Sequence, residues 1–138
     1  MKVSGDVKHP LQLSAADFAK MKKVTASTND HDGKSHTYTG VAVSEILDSA
    51  GVTTGAQLRG KNLVKYLLVK CADGYQVVLS LAELDNNFTD RVVILSNSMD
   101  GKPLPERKGP YKLVVPGEKK PASSCLQVIK LRIGSVGE

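Results

Sequence analysis

The polar–apolar pattern of this chain changes its period every few residues, and strand-like alternation is the commoner signal. From Val128 to Ile133, Ile129, Leu131 and Ile133 fall on one side and Lys130 and Arg132 on the other, which predicts a half-buried closing strand. Asn62 to Cys71 is apolar on both sides, with Leu63, Leu67 and Val69 against Val64, Tyr66 and Leu68, and predicts a central buried strand. It turns at Asp73-Gly74 into a strand over Tyr75–Leu79. Further strands are expected over Val7–Leu13, Lys22–Thr28, Arg91–Leu95 and Tyr111–Val115, with Pro10 marking the first as an edge or irregular strand.

Helical signals are short. Ser14-Ala15-Ala16-Asp17 is a capping box opening a helix through Phe18 and Met21. Ser44–Ala50 places Ile46, Leu47 and Ala50 on one face, and Gly51 ends it. Ser80-Leu81-Ala82-Glu83 offers one more helical turn. Asp32-Gly33 and Asp100-Gly101 read as turns, and Pro103, Pro105 and Pro110 stiffen the loop beyond the second. Strands outnumber helices, so the expected class is α+β: a mixed β-sheet with short helices, in a single domain over residues 1–138.

Composition narrows this little: 41% hydrophobic and 24% charged residues exclude a disordered or repetitive chain. No apolar run approaches the ~18 residues of a membrane-spanning helix. The net charge of +5 is more telling by position. Residues 1–100 hold 11 basic and 11 acidic side chains, whereas residues 101–138 hold 8 and 3. The whole excess lies in the last quarter, which suits an anionic small molecule or partner better than a long polyanion. No nucleic-acid-binding motif accompanies it.

Cys71 and Cys125 lie 54 residues apart without a C-x-x-C pair, so zinc and iron–sulfur spacings are missing. They are either one disulfide or two separate buried thiols. His31 and His36, with Asp30 and Asp32, read as a solvated hairpin tip rather than a metal cluster, because tips hold ligands convergent poorly. His9, before Pro10, is expected to be exposed or a local hydrogen-bond partner.

Four segments stand in a telling order: Cys71-Ala72-Asp73-Gly74-Tyr75, Asp100-Gly101-Lys102-Pro103-Leu104-Pro105, Gly109-Pro110-Tyr111, and Leu113-Val114-Val115-Pro116-Gly117. Thr39-Gly40-Val41-Ala42-Val43 followed by Glu45-Ile46-Leu47 precedes them. In series these resemble the molybdopterin-binding domain of the sulfite-oxidase family, over roughly Gly5 to Ile133. The resemblance implies that family's fold, an oxidoreductase ancestry and a possible molybdopterin cofactor.

In that family one cysteine thiolate holds molybdenum, from the segment between the first helix and the T-G-V strand. Here that segment is Val24-Thr25-Ala26-Ser27-Thr28-Asn29, without cysteine; Ser27 or Thr28 could offer only oxygen. Where the family grips the cofactor phosphate with arginines, this chain has Lys119 and Lys120, with Ser123 and Ser124 as donors. This stretch is either an anion site or a solvated loop.

Tyr75 is either a core residue or part of a pocket wall, since the resemblance puts its strand near the cofactor cleft. Arg107, in the proline-rich loop, either lines the cleft rim or belongs to an ordinary charged loop. The expected function is a molybdopterin-binding-fold domain without the molybdenum-ligating cysteine, binding an anionic small ligand or a redox partner protein. A molybdopterin-dependent oxidoreductase is the alternative. The resemblance also favours an exported, periplasmic protein whose leader has been removed, with a cytoplasmic one as the alternative.

Overall fold

The computed structural model describes residues 1–29, 33–52, 65–84, 92–116 and 125–135. Its elements run β1 (Lys2–Gly5), β2 (Leu11–Gln12), α1 (Ala15–Lys20), β3 (Val24–Asn29), β4 (Ser35–Ala42), α2 (Val43–Ser49), β5 (Lys65–Cys71) and β6 (Gln76–Ser80). After a 3-10 turn at Leu81–Leu84 come β7 (Ile94–Met99), β8 (Lys102–Pro103), β9 (Lys112–Val114), β10 (Cys125–Leu126) and β11 (Val128–Ser135).

The strands form two sheets. The first has the order β2-β1-β11-β5-β6, the second β10-β9-β7-β4-β3 with β8 paired to β7. The first sheet is mixed, because β1 runs parallel to β11 while its other pairs are antiparallel. One hydrophobic cluster fills the space between the sheets and reaches both helices. It takes Leu67, Val69 and Leu131 from the first sheet, Val41, Leu95 and Leu113 from the second, and Phe18, Ile46 and Leu47 from the helices. This is the expected α+β class, with two layers sharing a core.

The short helices follow their sequence signals closely. Ser14 Oγ accepts from the Asp17 amide at 3.1 Å, and the Asp17 carboxylate accepts from the Ser14 amide at 3.0 Å, closing both halves of the capping box. Phe18 is the buried residue of α1. In α2, Val43, Ile46 and Leu47 point inward, and Gly51 follows at φ +77.

Four strand expectations need correction, and one of them is simple: the strand expected over Arg91–Leu95 begins at Ile94 and runs on to Met99. The first strand was expected over Val7–Leu13, but the chain extends at Lys2–Gly5 and again only at Leu11–Gln12, the edge that Pro10 marks. Asn62–Val64 lies outside the described residues. The rest of that segment, β5, is interior in its sheet yet buried on one face only, with Tyr66 and Leu68 half-exposed. Ile129 does not share a face with Leu131 and Ile133: it is 52% exposed. The β11–β5 register shifts between Val128 and Lys130, just after Gln127 at φ 54, so Val128 takes the inward place.

Gly40, the middle of the T-G-V motif, sits at a register shift where β4 crosses β7. A Cβ there would press into the Leu95–Ser96 backbone, with Ser96 Cα at 2.6 Å. That close approach, rather than a turn, explains the glycine.

Cys71, at the end of β5, and Cys125, at the start of β10, form a disulfide with Cα atoms 6.3 Å apart, so the two-thiol alternative is set aside. Both are buried within the shared core. The bond is a covalent cross-tie between the two sheets, closing a loop of sequence separation 54.

Replacing both cysteines by alanine is expected to lower unfolding free energy by about 2–4 kcal/mol, read from the urea midpoint. Intact-mass measurement before and after denaturing reduction should show the gain of two hydrogens. Ser14→Ala should cost about 1 kcal/mol. Backbone and then side-chain hydrogen bonding with Ser14 holds the Asp17 carboxyl below its ordinary 3.8. Its contribution is therefore complete above that pH and lost as pH falls through the lower folded value, which a pH series of Ser14→Ala against the parent would show.

Candidate functional site

Two of the motif segments meet beside the second sheet. The D-G-K-P-L-P stretch makes the β7–β8 hairpin, with Asp100 at φ 53 and Gly101 at φ 81 as its two-residue loop. The G-P-Y stretch, with a cis Gly109–Pro110 bond, leads into β9. Between these and α1 lies a groove of about 310 Å³, lined by Ala15, Phe18, Asn97, Pro103, Leu104, Pro110 and Tyr111.

Phe18 and Tyr111 form the aromatic end of this groove, with ring centroids 5.0 Å apart and planes inclined at 56°. Lys23 Nζ stands 5.0 Å from the Phe18 ring centre, held by the carbonyls of Phe18 at 2.6 Å and Met21 at 2.9 Å. Burial pushes the Tyr111 phenol above its ordinary 10.0, so it stays neutral near pH 7. Among the described residues, the lining has no charged side chain. Its polar groups are the Asn97 amide and the Tyr111 hydroxyl, on an otherwise apolar wall. Such a surface accepts a flat, largely apolar group and can orient it by a few hydrogen bonds.

On the far face of the second sheet is a smaller cluster of Tyr38, Ile94 and Val114. Lys112, 5% exposed, projects into it and donates to the Tyr38 hydroxyl at 2.8 Å, with Nζ 4.1 Å from the Tyr38 ring centre. A buried ammonium needs such partners, because desolvating an unpaired charge costs far more than burying an apolar side chain. Beside it, Asp100 reaches across to β4. One carboxylate oxygen lies 2.6 Å from His36 Nδ1, and the other accepts from the Thr37 amide at 2.9 Å.

The sequence-predicted residues are dispersed. Tyr75 is 47% exposed at the start of the β6 arm, away from the groove lining, which overturns its reading as a core residue. The turn before it is as expected: Gly74 has φ +90, and Asp73 accepts from the Tyr75 amide at 2.9 Å. Arg107 is exposed in the turn after Pro105 and is not part of the groove lining. Lys119, Lys120, Ser123 and Ser124 lie outside the described residues, as do Asp30, His31 and Asp32. His36 is not a solvated tip residue; its side chain is 14% exposed and tied to Asp100. His9 is exposed, as expected.

Sequence reasoning missed the pairing of Lys112 with Tyr38 and the second task of Asp100. The first had a visible signal, a single lysine in the otherwise apolar run Tyr111–Val115. The second had none, because 64 residues separate His36 from Asp100.

The segment where the resemblance would place a metal-holding thiolate is β3, paired along its length with β4. Ser27 Oγ lies 3.1 Å from Thr37 Oγ1 across that pair, on an exposed face. Both cysteines of the chain are in the disulfide. Among the described residues, no three His, Cys, Asp or Glu side chains converge as a metal site would require.

Two sheets around one core, with short helices and a groove beside the G-P-Y strand, define an α+β domain of the sulfite-oxidase type. The chain belongs to the oxidoreductase molybdopterin-binding domain family, whose family model matches residues 1–119. Among solved structures, the sulfane dehydrogenase SoxCD from Paracoccus pantotrophus superposes with a TM-score of 0.76 at 20% identity, covering 100% of this chain and 39% of that one. That likeness is one of fold, and the chain spans well under half of that structure's length. No curated protein matches the sequence.

Replacing Tyr38 by Phe is expected to destabilise the fold by about 1–3 kcal/mol, because it removes a partner from a buried ammonium. Lys112→Met removes the charge together with its demand for a partner and should cost less. Urea unfolding of the two variants, compared at the same pH, checks this order.

Proposed function

We propose that this chain is a binding domain built on the molybdopterin-binding fold, working without a molybdenum atom held by a protein thiolate. It takes a small ligand with a flat organic portion in the Phe18–Tyr111 groove. Lys119, Lys120, Ser123 and Ser124 hold the ligand's anionic portion, and Arg107 contributes at the rim. A redox partner protein is the other member of this reading.

The observation that carries it is the Cys71–Cys125 disulfide. A thiolate-held metal needs a free cysteine, and this chain has two, each bonded to the other. The residues present therefore do not fit that mode of attachment, and no redox step is derived through it. The disulfide also favours an oxidising compartment, hence an exported protein, since such bonds are scarce in reducing cytosol. No described helix is long and apolar enough to cross a membrane.

The second reading is a molybdopterin-dependent oxidoreductase, favoured by the family match itself. Metal analysis separates the two. The protein would be produced in a host that makes molybdopterin, then assayed for molybdenum and, after denaturation, for pterin fluorescence. Molybdenum far below one atom per chain is expected. Stoichiometric molybdenum with pterin would overturn the proposal. Pterin without the metal would support it and identify the flat portion of the ligand, and Leu104→Trp, which fills the groove, should then abolish retention.

A further inference from the structure

The face of the first sheet that looks away from the core has an uneven charge. Strand register places Lys2 of β1 opposite Lys130 of β11, and Lys130 opposite Lys70 of β5. Val3, Leu131 and Val69 are buried on the inner face, so all three lysines point outward by alternation. Arg132 lies on the same face two residues beyond Lys130, opposite Leu68. Four cations thus occupy adjacent positions on three neighbouring strands.

None of the five strands of this sheet contains an Asp or Glu. Among the described residues, no carboxylate lies within ion-pair distance of these four cations. The ion pair of this sheet, at 3.1 Å, joins Lys65 to Asp6 at the opposite end of β5 from the lysine row. Like charges directly opposite in a sheet are destabilising, so packing does not account for the row. Beside it the surface turns apolar: Leu68 is half-exposed and Val78, its partner on β6, is 60% exposed.

We propose that this outer face is a docking surface for an acidic protein partner. The lysine row and Arg132 steer and orient the partner, and Leu68 and Val78 form the small apolar centre that closes on it. The combination favours protein over the other polyanions. A duplex offers nothing for a flat aliphatic patch, and a five-stranded sheet does not enter its grooves. An anionic bilayer would engage the cations, but this face has no Trp or Phe among its strands to anchor in the interface. The face spans roughly 20 Å across five strands, the scale of small, transient, charge-steered contacts rather than obligate ones. The surface is separate from the groove, and the inference does not depend on what the groove binds.

The test is a titration of the full chain, by fluorescence anisotropy, into a labelled poly-glutamate peptide at low and at moderate salt. Lys70→Gln/Lys130→Gln/Arg132→Gln should weaken binding about tenfold or more at low salt, with the parent's affinity falling as salt rises. The control Lys8→Gln/Lys22→Gln/Lys102→Gln removes the same charge from exposed positions elsewhere and should change affinity by less than about twofold. Lys2→Gln/Val78→Ser, a gentler pair, keeps the question answerable if the triple variant fails to fold by circular dichroism; it should weaken binding measurably. Equal loss in the face and control variants, or no binding of the peptide by the parent, would overturn the proposal. So would tighter binding to duplex DNA or to phosphatidylglycerol vesicles that the face variant abolishes.

Discussion

The disulfide between Cys71 and Cys125 joins the end of a strand interior in one sheet to the edge strand of the other, through the core that both sheets share. The architecture needs such a tie more than most. Its described α-helices are only six and seven residues long, too short to brace the layers by themselves. Several of its strands are two or three residues long and gain order only from their neighbours. The same bond takes up both thiols of the chain.

Much of this was legible in the sequence, and the reasons are local. The capping box at Ser14–Asp17, the helix ended by Gly51, and the Asp73-Gly74 and Asp100-Gly101 turns are decided within four residues, and the structure has each of them. The bulge at Ile129 was not legible. Alternation predicts a regular strand, whereas the partner strand and the left-handed Gln127 decide where the extra residue goes. Tyr75 misled for a related reason. An aromatic residue beginning a strand suggests burial, but the turn geometry leaves it half outside.

The groove was the least legible feature, because its lining comes from α1, β7, β8 and the loop between β8 and β9. Resemblance pointed to the right motifs, Asp100–Pro105 and Gly109–Tyr111, but for their family role rather than for the side chains they supply. The charge excess of the last quarter also divides in a way that no linear reading separates. Lys112 goes inward to Tyr38, while Lys130 and Arg132 go outward to join Lys2 and Lys70 from distant parts of the chain.

Asp100 commits one carboxylate oxygen to His36 and the other to Thr37 while its own backbone turns the β7–β8 hairpin. Hairpin tips are ordinarily the places where a protein accepts extra residues without complaint. This one is a latch, fastened to the entrance of β4, and Pro103 and Leu104 immediately beyond it are groove wall. A grafted epitope or affinity tag placed between Asp100 and Gly101 would unfasten two strands and deform the wall together. The exposed turn at Pro105–Arg107 is held by backbone contacts alone among the described residues, and it is the tip that can be lengthened.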